Sequence, residues 1–224
     1  MPLVKEPTCT PRRKAQRQPR QSRGEQRVTA ILEACERLLV EEGEAALGMH
    51  RIAAEAETSI GSLYHFFPNK QSMLLALSER HELAIQAVAE EIGRIDDATW
   101  QGASAERLVA LLVKPLLDYV AQNPVLLSLI RFDRAAGKSP TDTPVQPLLQ
   151  ALCIRILALR LPATDERARK AYAATLLGLP LGLVTDLMVD YDKDMRAAVL
   201  HEEIPRALTA YIQAIEASQG RHAP

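Results

Sequence analysis

The stretch from Ile52 to Lys70, read in order Ile52-Ala53-Ala54-Glu55-Ala56-Glu57-Thr58-Ser59-Ile60-Gly61-Ser62-Leu63-Tyr64-His65-Phe66-Phe67-Pro68-Asn69-Lys70, carries the signature of two short helices joined by a tight turn. Ile52, Ala53 and Ala56 form a small apolar stripe at helical spacing, and small side chains let a second helix cross closely at a steep angle. Thr58 and Ser59 are good N-cap types, so a new helix is expected to start there and to run through Phe67, where Pro68 and Asn69 end it. So short a helix is unstable alone. Leu63 and Phe67, four residues apart, supply the side that docks it on its neighbours.

The other side of that helix is left for a partner, and its chemistry suits DNA. Ser59, Ile60, Gly61, Ser62 and His65 are small, compact or polar groups able to approach base edges, and Tyr64 offers a hydroxyl to a phosphate. Ile60 meets a thymine methyl or lies against sugar. Lys70, at the start of the following helix, adds a positive charge and a helix N-terminus, both of which favour phosphate.

With these residues in place, the segment resembles the DNA-binding domain of the TetR family of bacterial transcriptional regulators. Ile52, Ala53, Ala56, Ser59, Gly61, Leu63, Tyr64, Phe67 and Lys70 stand where the family pattern wants them, and the resemblance covers roughly residues 25 to 75. The preceding segment fits the family's first helix: Ile31, Leu32, Cys35, Leu38 and Leu39 make one apolar face, and Gly43 is a C-terminal stop. There are departures from the pattern. Glu57 occupies the usual place of the turn glycine, Thr58 replaces an inward valine, Phe66 a histidine and Ile60 a polar residue. A non-glycine residue at positive φ costs on the order of 1 kcal/mol, so an adjusted or strained turn is expected at Glu57.

Composition agrees with an all-α chain. Of 224 residues 47% are hydrophobic, the fraction of an ordinary globular protein; glycine is sparse at 10 and alanine, leucine, glutamate and arginine dominate. No apolar run approaches a membrane span, and the first residues lack the apolar core of a secretory signal, so no membrane partner and a cytoplasmic location are expected. Net charge is only −1, yet through Arg27 there are eight basic residues against two acidic, a local +6, leaving 19 against 26 and −7 on the remainder. The start is therefore read as a basic flexible arm over residues 1–23, with Arg27 counted among the DNA-contacting residues. Near DNA the arm follows phosphates or enters a minor groove; as a plain solvated tail it aids solubility only.

The expected architecture is thus an N-terminal three-helix helix-turn-helix DNA-binding domain over residues 24–70, followed by a larger helical ligand-binding and dimerisation domain over 71–218 and a frayed tail over 219–224. Within the body, helices are expected over about 71–95, 105–121, 125–134, 145–159, 165–189 and 194–218, with a break at 96–103, a loop at 137–147, and Pro180 and Pro205 bending or interrupting the last two helices. Leu176 through Met188 carry apolar residues over more than one face, excess surface for a core or a second subunit. The resemblance implies that the final two helices pair across a two-fold axis into a homodimer bound to a pseudo-palindromic DNA operator. It also implies a small-molecule effector of unknown identity, with repression as the usual outcome. Trp100, Tyr119, Phe132, Tyr172 and Met188 are the candidate effector-binding residues, and Arg131 or Arg134 is placed to hold an anion.

Nothing in the chain points to an enzyme. His81-Glu82 lacks a second histidine four residues on, the other histidines show no metal-ligand spacing, no glycine loop cradles phosphate, and no cofactor is implied. Cys9, Cys35 and Cys153 are scattered, and the last two fall on apolar helix faces, where packing is the expected role. The remaining alternative is a helical protein-interaction module whose helix-turn-helix is purely structural.

Overall fold

The computed structural model describes residues 20–139, 143–187 and 191–219, which form twelve α-helices without a strand. Of the tail expected at 219–224 only Gln219 is described, as the end of a helix, and Cys9 and most of the basic arm lie outside these residues. Helix α1 begins at Arg20 and runs to Glu41, so Arg20 and Arg23 sit on a helix and not on the expected flexible arm. It buries Ile31, Leu32, Ala34, Cys35, Leu38 and Leu39. Gly43, at φ +77°, turns the chain out of α1 into a single 3-10 turn, Glu44–Ala46. Helices α2 (Met49–Glu55) and α3 (Ile60–Phe66) follow, then the long α4 (Lys70–Gly93).

One apolar cluster unites α1, α2 and α3 with Met73, Leu74 and Leu77 of α4, and it also takes in Val125 and Leu129 of α8 (Val125–Ala135). The helix-turn-helix unit is therefore joined to the body by shared core and not only by the chain.

The body departs from expectation at two places. The stretch 96–103 holds a helix, α5 (Asp97–Gly102): the Asp96 side chain caps it by accepting from Thr99 N at 2.8 Å, and Trp100 anchors it fully buried. The single helix expected over 105–121 is two, α6 (Ala105–Leu112) and α7 (Lys114–Gln122), parted at Val113. Pro115 is the cause, since it lacks an N–H and its ring clashes with the carbonyl four residues back. Near Pro180 and Pro205 the last two helices are interrupted, as expected. Helix α10 (Glu166–Gly182) passes through Pro180 into a π turn, Leu183–Leu187, and another π turn, Val199–Glu203, joins α11 (Lys193–Ala198) to α12 (Ile204–Gln219), whose second residue is Pro205.

Helix α9 (Val145–Arg160) packs along α10 and crosses α4 and α5, while α12 lies against α6. At its end Arg160, nearly buried, donates to the carbonyls of Trp100 (2.8 Å) and Ala103 (2.6 Å) and pairs with Glu216 of α12. It satisfies the last carbonyls of α5 and ties three helices at one point. No helix among the described residues is long and apolar enough to cross a membrane.

Candidate DNA-binding site and effector cavity

The turn between α2 and α3 is a Schellman motif: Thr58 N donates to Ala53 O at 3.0 Å and Glu57 N to Ala54 O at 3.1 Å. That pattern requires a left-handed residue at its corner. Glu57 takes it at φ +50°, the one non-glycine residue at positive φ among the described residues. The turn thus keeps the geometry a glycine would give and bears the strain.

Ser59 then caps α3, its hydroxyl accepting from Ser62 N at 3.2 Å. Leu63 is fully buried and Phe67 nearly so, which seats the helix; Phe67 itself is extended, as a residue before proline prefers, and ends α3 at Phe66. The opposite face shows Ser59, Gly61, Tyr64 and His65 to solvent, with Tyr64 47% exposed. His65 rests edge-on against Phe66, ring centroids 5.1 Å apart. Ile60 differs from its neighbours. It is half-buried and packs on the apolar cluster, so only part of it faces outward.

Two cations flank this face. Arg27 of α1 is exposed and donates to the Ser62 hydroxyl at 3.3 Å, a contact across 35 residues that brings a guanidinium to the middle of α3. Lys70 opens α4 behind an Asn69–Ser72 capping box, and its ammonium is 3.3 Å from both the backbone carbonyl and a carboxylate oxygen of Glu44. All eight residues expected to meet DNA (Arg27, Ser59, Ile60, Gly61, Ser62, Tyr64, His65, Lys70) thus lie on or beside one short helix.

The expected effector residues fare differently. A cavity of about 440 Å³ opens between α4, α6, α7, α8, α9 and α10, walled by leucines such as Leu112, Leu117, Leu149 and Leu176. Trp100, Tyr119, Phe132 and Tyr172 do not line it. Trp100 is buried in the body core with its indole N–H donating to Ile95 O at 3.2 Å, and Phe132 packs under the helix-turn-helix. Tyr119 turns its hydroxyl to His81, and Tyr172 stands edge-on to Tyr211. Each ring is taken up by a partner inside the fold. Met188 lies outside the described residues. Of the two arginines read as anion holders, Arg134 is at the cavity and Arg131 is not.

What lines the cavity instead is α4. Ser78 and His81 are both buried to 4% exposure, and the Ser78 hydroxyl has no hydrogen-bond partner among the described residues. Around the rim stand Glu79, Glu82, Asp133, Arg134 and Lys138. Burial raises the Glu82 carboxyl above its ordinary range, with Lys138 opposing and Asp133 and Glu79 adding to the rise. Cys153 also faces the cavity, its thiol pushed up to about 12 by burial, and Cys35, under the helix-turn-helix, is raised to about 11, chiefly by burial. Both thiols stay protonated at neutral pH and act as apolar packing groups.

Residues 31–77 match the family described as "Bacterial regulatory proteins, tetR family". The chain is 26% identical over 144 residues to the HTH-type transcriptional repressor KstR of Mycobacterium tuberculosis, a match that spans 61% of this chain and 60% of that relative's length. Its fold is shared with a TetR-like transcriptional regulator from a Rhodococcus species (TM-score 0.55, 19% identity, 88% of this chain and 99% of that one). It is shared equally with the TetR-family protein CprB of Streptomyces coelicolor, solved in complex with its operator (TM-score 0.54, 19% identity, 88% and 99%). The helix-turn-helix residues therefore match the model of the TetR family of bacterial regulatory proteins, and the described body shares the fold of TetR-like regulators.

Proposed function

We propose that the protein is a ligand-responsive repressor that holds a pseudo-palindromic operator as a homodimer and is released by a small molecule bound in the body. The observation that carries this reading is the course of α4. It begins with Lys70 beside the DNA-reading face and, two to three turns later, lines the cavity with Ser78, Glu79, His81 and Glu82. A ligand that prefers one tilt of α4 therefore biases the position of α3, and it does so only by as much as its affinities for the two arrangements differ.

The homodimer is supported by the outer faces of the last helices. Ala171, Ala174, Thr175 and Gly178 on α10, and Ala207, Ala210, Ala214 and Ala217 on α12, are exposed at helical spacing. Rows of such small residues allow helices of two subunits to approach closely, and a two-fold axis would present two copies of α3 to successive major grooves.

Selection of bound sites from random duplexes at two salt concentrations tests the reading. An enriched two-fold-related motif, bound less tightly as salt rises, is the expected result. Binding without a motif would reduce the protein to a nonspecific binder. No binding at low salt would leave the helix-turn-helix a structural element of a protein-interaction module.

A further inference from the structure

The chemistry of the cavity narrows what it accepts. Its volume of about 440 Å³ lies within the ~300–1,000 Å³ of sites for drug-sized ligands, and its walls are mainly aliphatic. The charged groups come from α4, the end of α8 and the turn after it, with Ser139, Thr143, Gln146 and Thr185 as further polar lining. Three carboxylates, Glu79, Glu82 and Asp133, stand there with two cations, Arg134 and Lys138, a balance of −1. Lys138 is committed to Asp133 at 3.2 Å. Burial drives the Glu82 carboxyl toward its neutral form, with Lys138 opposing and Asp133 and Glu79 adding to the rise. One helical turn before it, on the same face of α4, the Ser78 hydroxyl is buried without a partner among the described residues. A buried hydroxyl left unsatisfied costs free energy that a ligand's polar atom would recover.

We propose that the ligand of this cavity is an amphipathic cation: an apolar body fills the leucine-lined chamber, an ammonium group sits against Glu82, and a hydroxyl or ether oxygen close to the nitrogen meets Ser78. This rests on the reading of the cavity as the effector site. An anionic amphiphile of the same shape would set its charge beside Glu79, Glu82 and Asp133 and is disfavoured. A neutral one leaves Glu82 uncompensated.

Two naphthalene-bodied probes of opposite charge test it: propranolol, a cationic amino alcohol, and naproxen, a carboxylate. Binding to the full-length protein is measured by isothermal titration calorimetry at neutral pH. Propranolol is expected to bind at least tenfold more tightly than naproxen. Glu82→Gln should remove most of that preference, and Ser78→Ala should weaken propranolol severalfold while leaving naproxen unchanged. Unfolding curves of both variants, matched to the parent, exclude loss of fold as the cause. Naproxen binding as tightly as propranolol, neither probe binding, or a Glu82→Gln variant with undiminished preference for propranolol would overturn the assignment. Operator selection is read separately. A protein that selects an operator yet prefers naproxen keeps the regulator reading and loses this one, and a protein that prefers propranolol without selecting DNA does the reverse.

Discussion

The imidazole of His81 is held between two helices of different parts of the molecule: Nδ1 lies 2.7 Å from the hydroxyl of Tyr119 on α7, and Nε2 faces a carboxylate oxygen of Glu36 on α1 at 3.5 Å. Arg80, next in the chain, pairs with the same Glu36. This cluster connects α4, the helix that lines the cavity, with the first helix of the DNA-binding unit. Burial lowers the His81 pKa from its ordinary 6.5; Glu36 opposes that shift and Arg80 adds to it. A histidine depressed in the folded state contributes stability that is full above the unfolded value and is lost as pH falls through the folded value. Thermal stability should accordingly decline as pH is lowered from about 7 through 6.5 and below, and the decline should be smaller in His81→Gln. Tyr119→Phe leaves Nδ1 without its partner and should cost about 1–3 kcal/mol. Denaturation midpoints across pH for the three proteins check both statements, and an identical pH slope in parent and His81→Gln would remove His81 from the account.

Glu57 and Gly137 occupy the same corner of the same motif. At Gly137, φ +79°, Lys138 N donates to Asp133 O and Gly137 N to Arg134 O, both at 2.9 Å, repeating the bonds around Glu57. Only one of the two positions has the residue the geometry favours. Glu57→Gly should therefore raise stability by about 1 kcal/mol, and Gly137→Ala should lower it by a similar amount. An added Cβ at Gly137 meets no atom within 4 Å, so backbone strain alone is measured there. For a chain of this size about 1 kcal/mol moves the melting temperature by some 2–4 °C, which calorimetry resolves.

The helix-turn-helix was legible because its residues act locally. Ile52, Ala53, Leu63 and Phe67 are buried at the spacing that their types prescribe, Ser59 caps the helix it precedes, and Gly43 takes a left-handed φ where α1 stops. The division of α6 from α7 was signalled by Pro115, but the apolar rhythm from Leu108 to Leu117 continues across it and outweighs it in a periodicity reading. Helix α5 was hidden by its brevity. The cavity was not legible, because six helices separated by up to a hundred residues build it, and the size of an aromatic ring says nothing about which way the ring points. Trp100 and Phe132 are core for that reason. The Arg27–Ser62 contact likewise joins residues whose separation carries no local signal.

The cations beside α3 differ in how they are held, and so should their variants. We expect Lys70→Ala to weaken binding to every sequence and to reduce the slope of log affinity against log salt by about 0.9, the value of one phosphate contact. Glu44 competes for this ammonium through a carbonyl and a carboxylate oxygen. Glu44→Gln should therefore strengthen nonspecific binding. Ser62→Ala and His65→Ala, on the exposed face, should instead change which sequences are preferred. Arg27→Ala should do both, since the guanidinium adds charge and also orients the Ser62 hydroxyl. Fluorescence anisotropy on specific and scrambled duplexes over a salt series separates these effects, and a Lys70→Ala slope equal to that of the parent would place Lys70 off the phosphates.

In the proposed homodimer, operator binding by two linked copies of α3 would gain most of its strength from their connection, because the second half-site is reached at a high effective concentration. The exposed alanines of α12 give that dependence a direct test. Ala214 lies within the small-residue row and is exposed. Ala214→Glu would force two carboxylates together across a two-fold contact without a compensating cation, and burying such unpaired charge costs several kcal/mol. Sedimentation should then show a monomer with unchanged helical content, and affinity for a full operator should fall at least about a hundredfold, while affinity for an isolated half-site stays the same. A variant that remains dimeric with full operator affinity would move the subunit contact away from this face of α12, and Ala174→Glu on α10 would then show whether the neighbouring helix carries it alone.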